Sequence, residues 1–148
     1  MPRPGTIEAV TRLLAPVVLL TAIFLSGCSE AENAVSDAGS RAASRAGCSV
    51  AQAAVEEVRR QVDGVSAEIK TDPEAAGGAL TAARAALGAA EKQLTGETQE
   101  QLARAGAAIE DLQAEARAVA NGAKVDDQAV RAAQETYDDA AQQVTGLC

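Results

Sequence analysis

The residues with the most chemical potential in this sequence are three cysteines and four pairs of adjacent carboxylates. The carboxylate pairs are Glu56-Glu57, Glu110-Asp111, Asp126-Asp127 and Asp138-Asp139. Adjacent residues on a helix point in different directions, so such a pair does not converge on one metal ion or one substrate proton. Carboxylates in this arrangement are typical of a solvated helix face. We therefore predict no catalytic and no metal-binding role for them.

Other kinds of chemistry are disfavoured by the composition. Histidine is absent from the chain, which removes the commonest general base and the commonest metal ligand. Ser49 and Ser66 therefore have no imidazole to activate them as nucleophiles. The sequence contains no glycine-rich phosphate loop and no Cys/His metal spacing. We predict a non-enzymatic protein that holds no cofactor.

The first cysteine, Cys28, follows the one strongly apolar stretch of the chain. Residues 1–12 carry two arginines and one glutamate, whereas residues 13–25, LLAPVVLLTAIFL, carry no charge. A stable membrane-spanning helix needs about 20 apolar residues, and Pro16 would disturb such a helix further. These features predict a secretory signal peptide over residues 1–27.

The residues around the predicted cleavage point, Leu25-Ser26-Gly27-Cys28, resemble the lipobox of bacterial lipoproteins. The resemblance implies a thioether-linked diacylglycerol on Cys28, cleavage before Cys28 and often acylation of the new N-terminus. Two or three acyl chains hold a protein on a membrane far more firmly than one chain does. The alternatives are an ordinary signal peptide and an uncleaved anchor with an incidental cysteine. The resemblance covers residues 1–28, and residues 29–148 carry no comparable family motif.

The membrane is accordingly the first expected partner, contacted through the lipid on Cys28. The protein is expected to face outward from the cytoplasmic membrane, or to sit in an outer membrane if the cell has one. Ser29 is compatible with outer-membrane sorting in families where aspartate at that position signals retention.

We predict that residues 28–47 form the lipidated cysteine followed by a flexible tether. Residues 29–47 are mostly Ser, Ala, Gly and charged residues, and Val35 is their one large aliphatic side chain. Such a segment cannot bury an apolar face, although it can form transient helix. As a flexible chain it would have an end-to-end distance of about 25 Å.

From Cys48 onward, apolar residues recur at spacings that alternate between three and four. The first run continues through Val55, Val58, Val62, Val65 and Ile69; the second is Ala76, Leu80, Ala83, Leu87, Ala90 and Leu94; the third is Leu102, Ala105, Ile109, Leu112, Ala116 and Val119; the fourth is Val130, Ala133, Tyr137, Ala140, Val144 and Leu147. This spacing predicts four helices, each with one narrow apolar seam.

The first break between the runs lies at residues 70–74, KTDPE. Pro73 is suited to the first turn of a helix, where its missing N–H costs nothing. Thr71 and Glu74 have the spacing of a capping box.

The later breaks are marked by glycine. Gly96 interrupts the chain after the second run, with Thr95 or Thr98 available as the next N-cap. Asn121-Gly122 is a helix-stop signal, and Asp126 is a candidate N-cap for the last helix.

Four helices of similar length with short connections predict an all-α, antiparallel up-down-up-down bundle over residues 48–148. The alternative is a pair of longer helices in an oligomeric coiled coil, as in trimeric murein lipoproteins, and the three breaks argue against it. Five of the twelve seam positions in the middle helices are alanine, so the core is thin. The glycines at 77, 78, 88 and 106 lower helix propensity, either at close helix contacts or on exposed faces. Tyr137 is expected to fill the core.

The two remaining cysteines are expected to pair. Export places Cys48 and Cys148 in an oxidising compartment, and lipidation of Cys28 leaves an even number of thiols. Cys48 begins the first helix and Cys148 ends the fourth, and these points fall at the same end of an up-down-up-down bundle. We predict an intramolecular disulfide between them. The alternatives are an intermolecular bond through Cys148 and two free thiols.

Three classes of function remain open. The favoured one is a lipid-anchored, non-enzymatic helical module of the cell envelope that binds a protein partner or serves structural display. A carrier of a small apolar ligand within the bundle is the second, and an enzyme with an unrecognised carboxylate site is the third. The net charge of −8 argues against nucleic acid, whose phosphates are bound by clustered Lys and Arg. The sequence specifies neither the partner protein nor the oligomeric state.

Overall fold

The computed structural model describes the backbone of residues 29–148 and the side chains of residues 39–148. The predicted signal peptide and the predicted lipidation site, Cys28, lie outside the described residues. Residues 39–148 form one compact unit.

Four α-helices make up most of the described part of the chain. They are α1 (Ser29–Thr71), α2 (Pro73–Glu91), α3 (Glu97–Ala120) and α4 (Asp127–Leu147). The all-α four-helix prediction is confirmed.

Neighbouring helices run antiparallel to each other. Along α1, Val55 and then Val62 contact Tyr137 and then Gln134 of α4, so residue numbers rise in one helix as they fall in the other. The same order relates α2 and α3, where Thr81 bonds to Gln113 and Arg84 bonds to Glu110. At the start of the bundle, Gly47 lies against Gln93 and Leu94, which follow α2. Helix α3 also packs against α4, so the helices form an antiparallel bundle in which α1 lies beside α4.

The core is built from the four predicted seams. Fully buried members include Val58, Ile69, Leu80, Leu87, Leu102, Ile109, Leu112, Val130 and Val144. Leu94 and Val119 are partly buried against this cluster. Leu147 is the seam residue that departs from expectation: it is 40 % exposed because it is the last residue of α4 and lies at the end of the packed region.

The first connection uses a different cap from the one that the sequence suggested. Asp72 is the N-cap of α2, and its carboxylate accepts a hydrogen bond from the Ala75 N–H at 3.0 Å. Thr71 instead ends α1, and its hydroxyl donates to the carbonyl of Ala67 at 3.1 Å. The predicted Thr71–Glu74 capping box is therefore wrong, whereas the placement of Pro73 in the first turn is confirmed.

In the other two connections, glycine and aspartate residues mark where the helices begin and end. Gly96 is the N-cap of α3, with φ at 68°, and it supplies no side-chain hydrogen bond, so neither Thr95 nor Thr98 has the predicted role. A side chain is disfavoured at this positive φ, which explains the choice of glycine. Helix α3 ends as predicted, since Asn121 is its C-cap and Gly122 has a φ of 93°. Asp126 caps α4 as predicted.

Residues 29–47, which the sequence analysis predicted to be a flexible tether, are helical in the structure, since α1 begins at Ser29. The physical reason is local: Ala, Glu and Arg favour helix without any tertiary contact, and a helix already nucleated in the bundle extends easily. Residues 39–46 are exposed throughout, and burial begins at Gly47. The absence of a buried face in the described part of this segment agrees with its polar composition.

Candidate functional site

A covalent bond joins the first and last helices of the bundle. A disulfide links Cys48 near the start of the packed part of α1 to Cys148 directly after α4, with the two Cα atoms 5.4 Å apart. The bond closes a loop with a sequence separation of 100 residues. The antiparallel packing of α1 and α4 brings these residues together, as the sequence analysis expected.

Tyr137 lies at the centre of the α1–α4 contact. Its side chain is fully buried, and its hydroxyl donates a 2.5 Å hydrogen bond to the backbone carbonyl of Val55. Burial raises the pKa of the Tyr137 phenol, because the charged phenolate would be poorly solvated in this position. A phenol held neutral and bonded to a backbone carbonyl serves packing, and the expectation that Tyr137 fills the core is confirmed.

At least one member of each carboxylate pair forms an ion pair or a helix cap. Glu110 accepts a 2.8 Å bond from Arg84, and Asp138 lies 3.4 Å from Arg59. Asp126 accepts hydrogen bonds from two backbone N–H groups at the start of α4.

The remaining charged contacts act along and between helices. Glu57 bonds to Arg60 within α1, and this hydrogen bond lowers the pKa of Glu57. Asp127 lies 2.6 Å from Lys70, so Lys70 lowers the pKa of Asp127 and joins the end of α1 to the start of α4. Each lowered pKa shows that the cationic partner favours the ionised form of the carboxylate, as an ion pair requires.

The part of the chain that the structure describes contains no group of three or more Cys, Asp or Glu residues able to hold a metal ion. Among those same residues, no helix combines the length and the apolar character needed to cross a membrane.

A polar cluster lies at the α2–α3 contact. Gln113 is the one polar side chain buried among the described residues, and its amide donates to the Thr81 hydroxyl at 3.0 Å. The hydroxyl in turn donates to the carbonyl of Gly77 at 2.8 Å. This chain of bonds satisfies a buried amide donor that would otherwise be costly.

A groove of 620 Å³ runs along the surface beside this cluster. It is lined by small and polar residues of α2 and α3: Pro73, Glu74, Gly77, Gly78, Thr81, Arg84, Ala85, Gln113, Arg117 and Ala120. The floor is shallow and open because glycine and alanine project little beyond the backbone. Two arginines border it, and the Arg84 guanidinium is already bonded to Glu110. The groove is therefore better suited to a flat contact than to enclosing a small molecule.

Arg84 explains one of the glycines noted in the sequence. A Cβ placed on Gly106 would lie 2.8 Å from Nη1 of Arg84, and one placed on Gly88 would lie 3.4 Å from the same atom. The guanidinium thus lies over Gly106, which is a close interhelical contact. A Cβ on Gly77 or Gly78 would meet nothing within 4 Å.

Sequence reasoning missed the roles of Gln113 and Arg84. Both residues flank a seam, and a flanking position does not reveal whether a polar side chain points to a neighbouring helix or to solvent. The nearest available signal was the glycine at 106, one residue after a seam alanine, which left room for a long side chain from α2.

Comparisons of the chain with protein-family models, with curated proteins and with solved structures found no match.

Proposed function

We propose that this protein is a lipid-anchored, non-enzymatic helical module of the cell envelope, which acts by binding an envelope protein or by structural display. The module is residues 48–148, and the anchor is the lipid predicted on Cys28. The protein would face outward from the cytoplasmic membrane, or sit in an outer membrane where the cell has one.

The observation that carries this proposal is the disulfide between Cys48 and Cys148, together with the position of the third cysteine, Cys28. The Cys48–Cys148 disulfide is chemistry of an oxidising compartment, which agrees with an exported chain. The remaining cysteine of the sequence, Cys28, then stands alone at the end of the apolar run, where a lipobox places its lipidated residue. Export and lipidation together give each of the three cysteines a role.

The rest of the molecule supports display and binding over catalysis or transport. The carboxylates described above are occupied in ion pairs and caps, and the chain has no histidine. The hydrophobic core residues are at most 5 % exposed, so a carrier would have to open the bundle to admit a ligand. Native mass spectrometry of the delipidated chain tests the carrier directly, since a retained small molecule would favour it.

The anchoring step is tested by Cys28→Ala in the full-length chain. We expect the unmodified protein to sediment with membranes, to incorporate labelled palmitate and to begin at Cys28, whereas the variant should be released or remain unprocessed. The chain carrying both Cys48→Ser and Cys148→Ser is the control, because it removes the other two cysteines without leaving one unpaired and should leave membrane association and label unchanged. Equal membrane association and equal labelling of the Cys28→Ala variant would show that the anchoring proposal is wrong.

The binding step is tested by crosslinking in intact cells, followed by purification from the membrane fraction. Specific partners should be recovered with the wild-type chain and reduced when Cys28→Ala releases the domain from the membrane. A chain that recovers no partner under crosslinking would leave structural display as the supported half of the proposal.

A further inference from the structure

The outward surface of α2 differs from that of the other three helices. Between Glu74 and Lys92, every exposed residue of α2 is alanine, glycine or threonine. The other helices expose charged residues in most of their turns, for example Arg60 and Asp63 on α1 and Arg131 on α4. Arg84 and Glu91, the charged residues between them, are half-buried, so a protein of net charge −8 leaves the outward side of one surface helix uncharged over about five turns.

The small residues on this surface have the spacing of a helix-packing seam. They are Ala75, Gly78, Ala82, Ala85 and Ala89, which follow one another at intervals of three and four on the side away from the core; we call them the outer seam. This is the alternation that builds the four buried seams of the bundle. Alanine and glycine at such positions allow two helix backbones to approach closely.

The tandem glycines give an independent indication of a contact outside the chain. No atom of the described structure lies within 4 Å of a Cβ placed on Gly77 or Gly78, so alanine would fit at either position. Glycine lowers helix propensity relative to alanine, and nothing within the described bundle requires it there. A second backbone approaching this part of α2 would require it.

The charges at the two ends of the outer seam indicate what that second backbone is. Glu74 and Lys92 are 18 residues apart, which is five full turns, so they lie on the same side of α2. When two copies of α2 pair antiparallel about Ala82, Ala82 faces itself and Ala75 faces Ala89. Gly78 then lies one residue, about 1.5 Å along the axis, from the position that faces Ala85 of the other copy. Glu74 lies two residues, about 3 Å along the axis, from the position that faces Lys92, which is an offset that a lysine side chain spans. The face is therefore complementary to itself in both spacing and charge.

We propose that the outer seam is a homodimer interface in which α2 of one copy packs antiparallel against α2 of a second copy. The groove between α2 and α3 borders the outer seam and leaves room for side chains of the second copy. A helix of 19 residues is about 28 Å long, and its contact is smaller than the roughly 800 Å² per partner of a standard interface. The dimer should therefore be weak, with a dissociation constant on the order of micromolar to millimolar.

Crosslinking tests the geometry of this interface. The protein is the chain from residue 28 to 148 with Cys28→Ala, so that the only added thiol is the engineered one. A short bismaleimide should link two Ala82→Cys chains, because position 82 meets itself at the two-fold axis. Ala75→Cys alone should not be linked, since its two copies are about 20 Å apart in an antiparallel pair. A mixture of Ala75→Cys and Ala89→Cys chains should be linked efficiently.

Two crosslinking results would overturn the proposal. One is an absence of dimer with Ala82→Cys at protein concentrations where the unmodified chain self-associates. The other is linkage of Ala75→Cys with itself at the same yield as the mixture, which would indicate a parallel pair or random collision.

Sedimentation equilibrium tests the energetics. Ala82→Glu puts like charges at the two-fold axis and should raise the dimer dissociation constant at least about tenfold. Ala107→Glu, on the exposed side of α3, is the matched control and should leave the constant within about twofold. Glu74→Lys should weaken the dimer, and addition of Lys92→Glu should restore it. Monomer alone up to about 1 mM, or equal effects of the two glutamate variants, would refute the interface.

Discussion

The disulfide between Cys48 and Cys148 should supply a large part of the stability of this bundle. It closes a loop with a sequence separation of 100 residues, and a loop of that length corresponds to about 4.7 kcal/mol in the chain-entropy model. Globular domains as a whole are stable by about 5–15 kcal/mol. Ten of the 23 buried apolar residues in the described part of the chain are alanine, including Ala76, Ala83 and Ala105, so the apolar contribution per residue is small. We expect removal of the bond to lower the free energy of unfolding by about 3–4 kcal/mol, somewhat below the model ceiling.

The measurement is urea unfolding of residues 28–148 carrying Cys28→Ala, compared with the same chain carrying Cys48→Ser and Cys148→Ser. Helix content is followed by circular dichroism, and packing of the α1–α4 contact is followed by the emission of Tyr137, the one tyrosine of the sequence. The serine variant should keep its helices in water, because the seams and the Tyr137–Val55 hydrogen bond do not depend on the disulfide. Its m-value should be higher, since an unfolded chain without the crosslink exposes more surface.

Two controls separate the disulfide from other effects. A reductant should destabilise the chain that contains both cysteines and leave the serine variant unchanged. Non-reducing electrophoresis should show a monomer, and thiol labelling should find no titratable thiol. A difference in unfolding free energy below about 1 kcal/mol, a disulfide-linked dimer, or two titratable thiols would refute the reasoning.

Three further predictions concern single side chains. Tyr137→Phe removes the hydrogen bond to the Val55 carbonyl and should cost about 1 kcal/mol in urea unfolding, whereas a change within error would show that this bond contributes nothing net. Burial raises the pKa of Tyr137, so the stability that comes from burying the neutral phenol is fully present below pH about 10 and is lost as the pH rises above it. Absorbance of the single tyrosine should therefore show ionisation only as the helices unfold, and a midpoint near pH 10 with intact helices would contradict this. Asp126→Ala removes the cap of α4 and should cost about 1 kcal/mol, while Asp139→Ala, an exposed position of equal charge change, should cost less than about 0.5 kcal/mol.

The helical part of this protein could be predicted in considerable detail because burial on a helix follows a period that is written in the chain. Spacings of three and four selected nearly every core residue, from Val55 in α1 to Val144 in α4. Pro73 and Asn121-Gly122 marked helix ends because their backbone preferences act locally. Short connections between similar helices then favoured the up-down-up-down arrangement. That arrangement places Cys48 and Cys148 at the same end of the bundle.

The details that sequence reasoning missed depend on three-dimensional neighbours. Thr71 and Asp72 are both capable caps, and the choice of Asp72 depends on where α1 ends, which packing determines. Gly96 caps α3 because the chain turns with a positive φ there, and a threonine hydroxyl cannot replace that backbone geometry.

The sequence by itself determined the helix class, the seams, most helix ends and the pairing expected for the cysteines, since each depends on local preference or on a simple count. The tertiary structure decided which flanking polar groups meet: the Gln113 amide at Thr81, the Arg84 guanidinium over Gly106 and the Tyr137 hydroxyl at Val55. The physical reason is that a seam specifies which side of a helix is buried, whereas the rotation and the height of its neighbour decide which side chains come within reach.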